Sequence, residues 1–178
     1  NTIGTIYIVR DPRDIIISAS KYYNKSHNET KENMFNQHMD LINKYNDKPI
    51  STFLGSWSDH YNSWTKNTKN ILLLKYEDLI NNKEAEIRKI LNFINRFAEL
   101  SVDENKIKNF IETSSFKNMK IMENKGLFKE NSKDLNGNLI TFFNNGKNGN
   151  WRNQLEEKIV KEIENNFQKE MKELGYID

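Results

Sequence analysis

The sequence predicts an α/β fold in which helix outweighs strand, and three observations carry that prediction. An apolar, largely β-branched run at Ile6-Tyr7-Ile8-Val9 ends in Arg10 and passes at once, through Asp11-Pro12-Arg13-Asp14, into a helical pattern. A second apolar run over residues 71–75 has the same strand character. Around these two strands lie five or six stretches whose apolar residues recur at helical spacing.

The first run is expected to be a buried strand, and the helix after it to extend from Pro12 to about Tyr23. Asp11 suits the N-cap, Pro12 the first helical position, and Asp14, three residues after the cap, the far side of a capping box. A polar stretch from Asn24 to Lys31 then leads to a second helix with Met34, Phe35, His38, Met39, Ile42 and Tyr45 on one face, ended by Asp47-Lys48-Pro49. Trp57, Tyr61 and Trp64 share one face of a short helix, and residues 71–75 form the second strand. Glu84 to Arg96 is amphipathic along Ile87, Ile90, Leu91 and Ile94. Ser101 and Glu104 frame a capping box before a helix carrying Ile107, Phe110 and Ile111. Residues 120–150 are weakly periodic, hold glycines at 126, 137, 146 and 149, and read as a long surface loop. A last helix begins near Asn153, with Glu156 three residues on. It buries Leu155, Ile159, Ile163, Phe167 and Met171 and stops at Gly175.

Composition narrows the function. The 178 residues suffice for one core, and ten Phe, seven Tyr and three Trp fill it. A net charge of +2, from 27 basic and 25 acidic side chains, with no long basic run, argues against a nucleic-acid partner. No apolar run is long enough to span a membrane, and the first residues lack the pattern of a signal peptide. The absence of cysteine excludes disulfides, thiolate metal sites and a cysteine nucleophile, and it fits a reducing, cytoplasmic setting. Asn, Lys and Ile are abundant throughout, a bias of the whole chain and not of one low-complexity tail.

A strand, an arginine at its C-terminal end and an immediate helix is how α/β sheets build anion and nucleotide sites. The planar fork of Arg10 suits a phosphate. By itself the unit leaves two readings open, a phosphate ligand or a structural ion pair between Arg10 and a carboxylate such as Asp14.

Five segments, in order, resemble the motifs of sulfotransferases that use PAPS (3′-phosphoadenosine-5′-phosphosulfate). VRDPRDIIIS resembles the 3′-phosphate motif, with Arg10 and Ser18 at the positions that grip the phosphate. GSWSDHYNSW (55–64) resembles the family's GSW segment, and Tyr76-Glu77-Asp78-Leu79 its Y-E-D-L, whose Tyr lies by the adenine end of the donor. Ser114-Ser115-Phe116 with Met119 resembles T-S-F-x-x-M, whose aromatic stacks on adenine, with Ser in place of the usual Thr. FFNNGKNGNWR (142–152) resembles the segment that closes over the 3′-phosphate.

That resemblance implies the three-layer αβα sulfotransferase fold, similar to the P-loop-containing nucleotide hydrolases. Two parallel strands cannot make a whole sheet, so residues 1–178 are expected to be a helix-rich, C-terminal part of one sulfotransferase domain. The implied activity is transfer of the sulfuryl group from PAPS to a hydroxyl or amine acceptor, with PAPS as co-substrate and no metal. Donor binding would fall to Arg10, Ser18, Tyr76, Ser114, Phe116, Met119, Phe143, Asn144, Asn145 and Gly146. Asn144 and Asn145 stand where the family has Arg-Lys, so the charge-assisted part of the grip is lost there, with Lys147 and Arg152 close in sequence.

The family's P-loop-like turn and its general-base histidine would lie upstream of Asn1, so no catalytic residue is assigned. His60 matches a structural histidine, His38 sits on an apolar helical face and His27 in a polar loop. The partners would be the small-molecule donor and an acceptor set by variable loops, here Asn24 to Lys31 and Asn124 to Leu139. The dimerisation pattern K-x-x-x-T-V-x-x-x-E is not found after Trp151, which leaves oligomeric state open. The alternatives are another P-loop transferase, such as a small-molecule kinase, or a degenerate, non-catalytic nucleotide-binding module.

Overall fold

The computed structural model describes residues 2–45, 48–127, 140–143 and 148–178. In chain order its elements are β1 (Thr5–Val9), α1 (Pro12–Tyr23), α2 (His27–Phe35), β2 (Asp40–Tyr45), β3 (Lys48–Phe53), α3 (Trp57–Asn67), β4 (Ile71–Lys75), α4 (Tyr76–Asn81), α5 (Lys83–Ile94), α6 (Glu104–Thr113), α7 (Phe116–Asn124), α8 (Trp151–Gln154), α9 (Glu157–Asn166) and α10 (Gln168–Glu173). Two units result, one from Asn1–Arg10 with Lys69–Asn148, the other from Asp11–Thr68 with Gly149–Asp178. Among the described residues no helix is long and apolar enough to cross a membrane.

In the first unit β1 and β4 pair in parallel, Thr5 opposite Ile71 and Val9 opposite Lys75. Val9 and Leu74 are buried with Ile87, Phe93 and Ile107, and each such burial contributes about 1.5–3 kcal/mol. β1 is not the fully buried strand expected. Ile6 and Ile8 stay exposed, because among the described residues nothing covers their side of the two-stranded sheet.

The cap of α6 also differs from expectation. Asp103, not Ser101, is the N-cap and accepts from the Lys106 N–H at 2.8 Å. The Glu104 carboxylate, expected to fold back, instead receives the Arg88 guanidinium. Residues 120–124, read as loop, are the last turn of α7, begun by Ser115 as N-cap. The rest of that expected loop lies largely outside the described residues.

The second unit has its core where α1, α9 and α10 meet. Ile16, Ile159, Ile163, Phe167 and Met171 are buried, with Met34, Phe35, Trp57, Leu155 and Tyr176 packed against them. The last helix is broken, contrary to the single helix expected. Leu155 is extended after the single turn of α8, and Phe167 interrupts the path between α9 and α10. The apolar stripe survives because Ile159, Ile163, Phe167 and Met171 keep helical spacing across that break. At its end the Gly175 N–H donates to the Lys172 carbonyl and the Tyr176 N–H to that of Met171, a Schellman cap that needs the left-handed φ of +67° at Gly175.

Residues 24–53 differ most from the sequence reading. Ser26 and Glu29 form a reciprocal capping box, so α2 starts at His27, within the stretch read as a polar loop. The helix stops at Phe35, and β2 and β3 form an antiparallel hairpin, Asp40 opposite Phe53 and Tyr45 opposite Lys48. Ile42, Tyr45, Ile50, Thr52 and Phe53 are residue types favoured in strands. Pro49 is tolerated because each strand of a two-stranded hairpin has an outer edge. His38 therefore lies exposed between α2 and β2, not on a helical face.

Candidate functional site

The parallel register of the first unit brings two predicted residues together. β1 and β4 end in step at Val9 and Lys75, so Arg10 and Tyr76 are the next residues on adjacent strands. The Arg10 guanidinium carbon lies 4.5 Å from the centroid of the Tyr76 ring. A cation over a ring at this distance contributes about 0.5–2 kcal/mol and restricts where the Arg10 guanidinium lies. Tyr76 opens α4 without a side-chain cap from Lys75.

A second pair forms on α7. Phe116 is its first residue, and Phe143 returns to it with ring centroids 6.2 Å apart and planes at 80°. Phe142 packs edge-on against Phe143 at 5.1 Å. The buried Glu123 carboxylate accepts both neighbouring amides, Phe142 N–H at 2.5 Å and Phe143 N–H at 3.2 Å. Met119 is half-buried one turn along from Phe116. Ser114 has a local task, its hydroxyl donating to the Phe110 carbonyl at 2.7 Å at the end of α6. Its own carbonyl accepts from Lys83 Nζ at 2.7 Å.

In the second unit the start of α1 is built around three charged side chains. Asp11 caps the helix through the Arg13 N–H at 2.9 Å. Its carboxylate also receives the Arg13 guanidinium, Nε to Oδ1 at 3.0 Å and Nη2 to Oδ2 at 2.8 Å. Arg13 further donates to Glu164 at 2.5 Å and to the Tyr176 carbonyl at 3.0 Å, and it lies 3.9 Å over the Trp151 ring. Burial lowers the pKa of Arg13, but Asp11 and Glu164 more than offset this and hold it above the ordinary arginine value.

Asp14 does not close the capping box expected of it. Its Oδ2 accepts from the Gly149 N–H at 2.6 Å and its Oδ1 from the Trp151 N–H at 3.1 Å. The carboxylate named in the ion-pair reading of Arg10 is thus a backbone anchor. Gly149 has a φ of +76°, where a Cβ would lie 2.6 Å from Arg152 Nη1. The Arg152 guanidinium lies 4.5 Å from the Trp151 ring. Ser18 is exposed on α1, its hydroxyl donating to the Ile15 carbonyl at 3.0 Å. Asn144, Asn145 and Gly146 lie outside the described residues, as does Lys147.

The Gly55-Ser56-Trp57 segment builds a helix start. Ser56 and Asp59 form a reciprocal capping box, and Trp57 packs on Phe167 at 5.1 Å and on Tyr61 at 6.2 Å. His60 is half-buried near Trp64, and burial lowers its pKa. The bonds from Arg13 to Glu164, from Asp14 to Gly149 and Trp151, and from Glu123 to Phe142 and Phe143 escaped the sequence reading, because those partners lie far along the chain and no local spacing marks them.

The comparisons with known proteins agree with one another. Sulfotransferase 2A1 of Macaca fascicularis is 28% identical over 172 residues, covering 95% of this chain and 56% of that protein. An amine sulfotransferase of Oryctolagus cuniculus is 28% identical over 178 residues, covering 97% of this chain and 56% of its own length. The chain therefore spans a little over half the length of these curated relatives. Among solved structures, mouse sulfotransferase SULT7A1 complexed with PAP superposes with a TM-score of 0.65 at 22% identity, over 94% of this chain and 58% of that one. Retinol dehydratase in complex with androsterone and inactive cofactor PAP gives 0.67 at 23% identity, over 95% and 47%. These two show the fold. The model described as "Sulfotransferase domain" matches residues 2–175, and the chain belongs to the sulfotransferase family.

Proposed function

We propose that the protein bearing this chain is a PAPS-dependent sulfotransferase, and that Arg10, Tyr76, Phe116 and Phe143 hold the 3′-phosphoadenosine part of the donor. The observation that carries this is Arg10 held over the Tyr76 ring at the ends of two adjacent parallel strands. A guanidinium restricted to one place offers its fork of N–H donors to phosphate oxygens with less further loss of side-chain freedom. Phe116 and Phe143 supply flat apolar surface for a base. PAP in the SULT7A1 and retinol dehydratase structures supports the same donor.

When bound, PAPS supplies the sulfuryl group that passes to a hydroxyl or amine acceptor. The chain's own residues bind and orient the nucleotide. Arg10 and the Ser18 hydroxyl are assigned to the 3′-phosphate, with Asn144, Asn145 and Gly146 as uncharged donors. Tyr76, Ser114, Phe116, Met119 and Phe143 are assigned to the adenine side. None of the three histidines is assigned a part in the chemistry. Residues 1–178 are taken as part of one sulfotransferase domain, and the cysteine-free composition supports a cytoplasmic protein.

The test is calorimetric titration of 3′-phosphoadenosine 5′-phosphate, with ATP and Mg²⁺ as control, into the full-length protein and its Arg10→Ala variant. The 3′-phosphorylated nucleotide should bind selectively. Loss of a charge-assisted contact at about 1.5–3 kcal/mol should weaken it about 10- to 100-fold. Unchanged affinity in Arg10→Ala would overturn the assignment.

A further inference from the structure

Phe116, Met119 and Glu123 recur at i, i+3 and i+7 on α7, so they form one stripe along the helix. The chain returns to this stripe at Phe142-Phe143, where the backbone is neither helix nor strand. There the two consecutive amides are taken by one carboxylate. Glu123 is 8% exposed, and each of its oxygens accepts one of them. Backbone N–H groups of an irregular segment require a partner once they leave water. An ionised carboxylate is the strongest acceptor a side chain offers.

This contact has a geometric consequence. Fixing two successive amides restricts the Phe143 backbone and so the place from which its ring projects. That ring meets Phe116 edge-on at 6.2 Å and 80°, and Phe142 meets Phe143 edge-on at 5.1 Å. We propose that Glu123 is a positioning residue for the base of the donor: by clamping the Phe142 and Phe143 amides it holds Phe143 against Phe116 as a preformed aromatic corner for a purine ring. The inference rests on the donor reading above and adds to it a residue that would not touch the nucleotide.

A preformed corner serves the base and not the phosphates. Affinity for the whole nucleotide should therefore depend on Glu123, whereas affinity for the same sugar bisphosphate without its base should not. The experiment titrates 3′-phosphoadenosine 5′-phosphate and ribose 3,5-bisphosphate into the full-length protein, wild type, Glu123→Gln and Glu123→Ala. Amide hydrogen exchange at Phe142 and Phe143 is followed in each.

Glu123→Ala should bind the nucleotide about 10-fold more weakly, through weaker stacking of the base, and the base-less bisphosphate within about twofold of wild type. Exchange at both amides should accelerate. Glu123→Gln keeps one acceptor oxygen and should fall between, which guards against an alanine variant that fails to fold. Equal weakening of both ligands, or a nucleotide affinity unmoved in both variants, would overturn the positioning role alone. A wild type that does not prefer the nucleotide to the base-less compound would overturn the donor reading itself.

Discussion

Replacing Asp14 by Ala tests whether a single carboxylate holds the Gly149–Trp151 turn to α1. Asp14 is 2% exposed, and its oxygens accept from the Gly149 and Trp151 amides at 2.6 and 3.1 Å. A hydrogen bond to a charged group contributes about 1.5–3 kcal/mol, so two of them set a ceiling of about 6. Removing the buried charge also relieves its desolvation cost, which brings the expected loss to about 3–4 kcal/mol. That is a large share of the roughly 5–15 kcal/mol by which a domain is stable. Asn is the finer probe. Its oxygen can serve one amide, but its NH₂ would face the other N–H, so the loss should be about half. Urea unfolding should rank wild type above Asp14→Asn and that above Asp14→Ala, at similar slope. Hydrogen exchange at Gly149 and Trp151 should accelerate before that of Ile163 or Phe167 in the core. If Asp14→Ala unfolds at the wild-type midpoint with both amides still protected, the carboxylate is not what holds the turn.

Two further perturbations probe the same unit. Tyr61 donates to Glu173 at 3.0 Å, and burial first, then the nearby carboxylates, pushes its phenol up to about 12. Between pH 10 and 12 the unfolded chain gives up this proton while the fold keeps it, so stability should fall as pH rises, by about 3 kcal/mol in all. Comparing unfolding free energies across pH 9–11.5 for wild type and Tyr61→Phe checks this; the variant should lack that part of the slope, and parallel curves would contradict it. Arg13→Lys cannot serve Asp11, Glu164 and the Tyr176 carbonyl at once, nor stack as a plane on Trp151. It should lose about 3 kcal/mol in urea. The deficit should persist in 1 M salt because the pair is buried, and its disappearance there would show a surface pair instead.

The parts of the fold that were legible are those whose signal is local. α1 begins where Asp11 and Pro12 place it, α3 carries Trp57, Tyr61 and Trp64 at the helical spacing that marked it, and the Ile159–Met171 stripe lies in the core because its period is that of a helix. β1 and β4 were readable as apolar runs between turn residues. The hairpin over 40–53 was not, because Met34, Phe35, His38, Ile42 and Tyr45 recur at helical spacing, and the cross-strand pairing that overrides it leaves no local mark. The site shows the same division. Arg10 was singled out by its place at a strand end and Tyr76 by the Y-E-D-L resemblance, and their meeting needed only the register. Arg13 bonds Glu164 across 151 residues and Asp14 reaches Gly149 across 135, separations over which spacing carries no information.

Asp14 and Glu123 solve one physical problem in two places. Segments that carry ligand-binding residues are irregular, since a helix or strand cannot bend around a small molecule, and irregular backbone has amides with no ladder to join. Water would satisfy them at the cost of order. A buried carboxylate satisfies two at once and, having two fixed oxygens, also sets the angle between them. Phe142-Phe143 is held by Glu123 and Gly149 with Trp151 by Asp14, so each described end of the 142–152 motif is tied to a helix by a charge, not by side-chain packing alone. Both anchors are acidic and lie outside the motif, on α1 and α7, so each described end is held by a residue the motif itself does not carry.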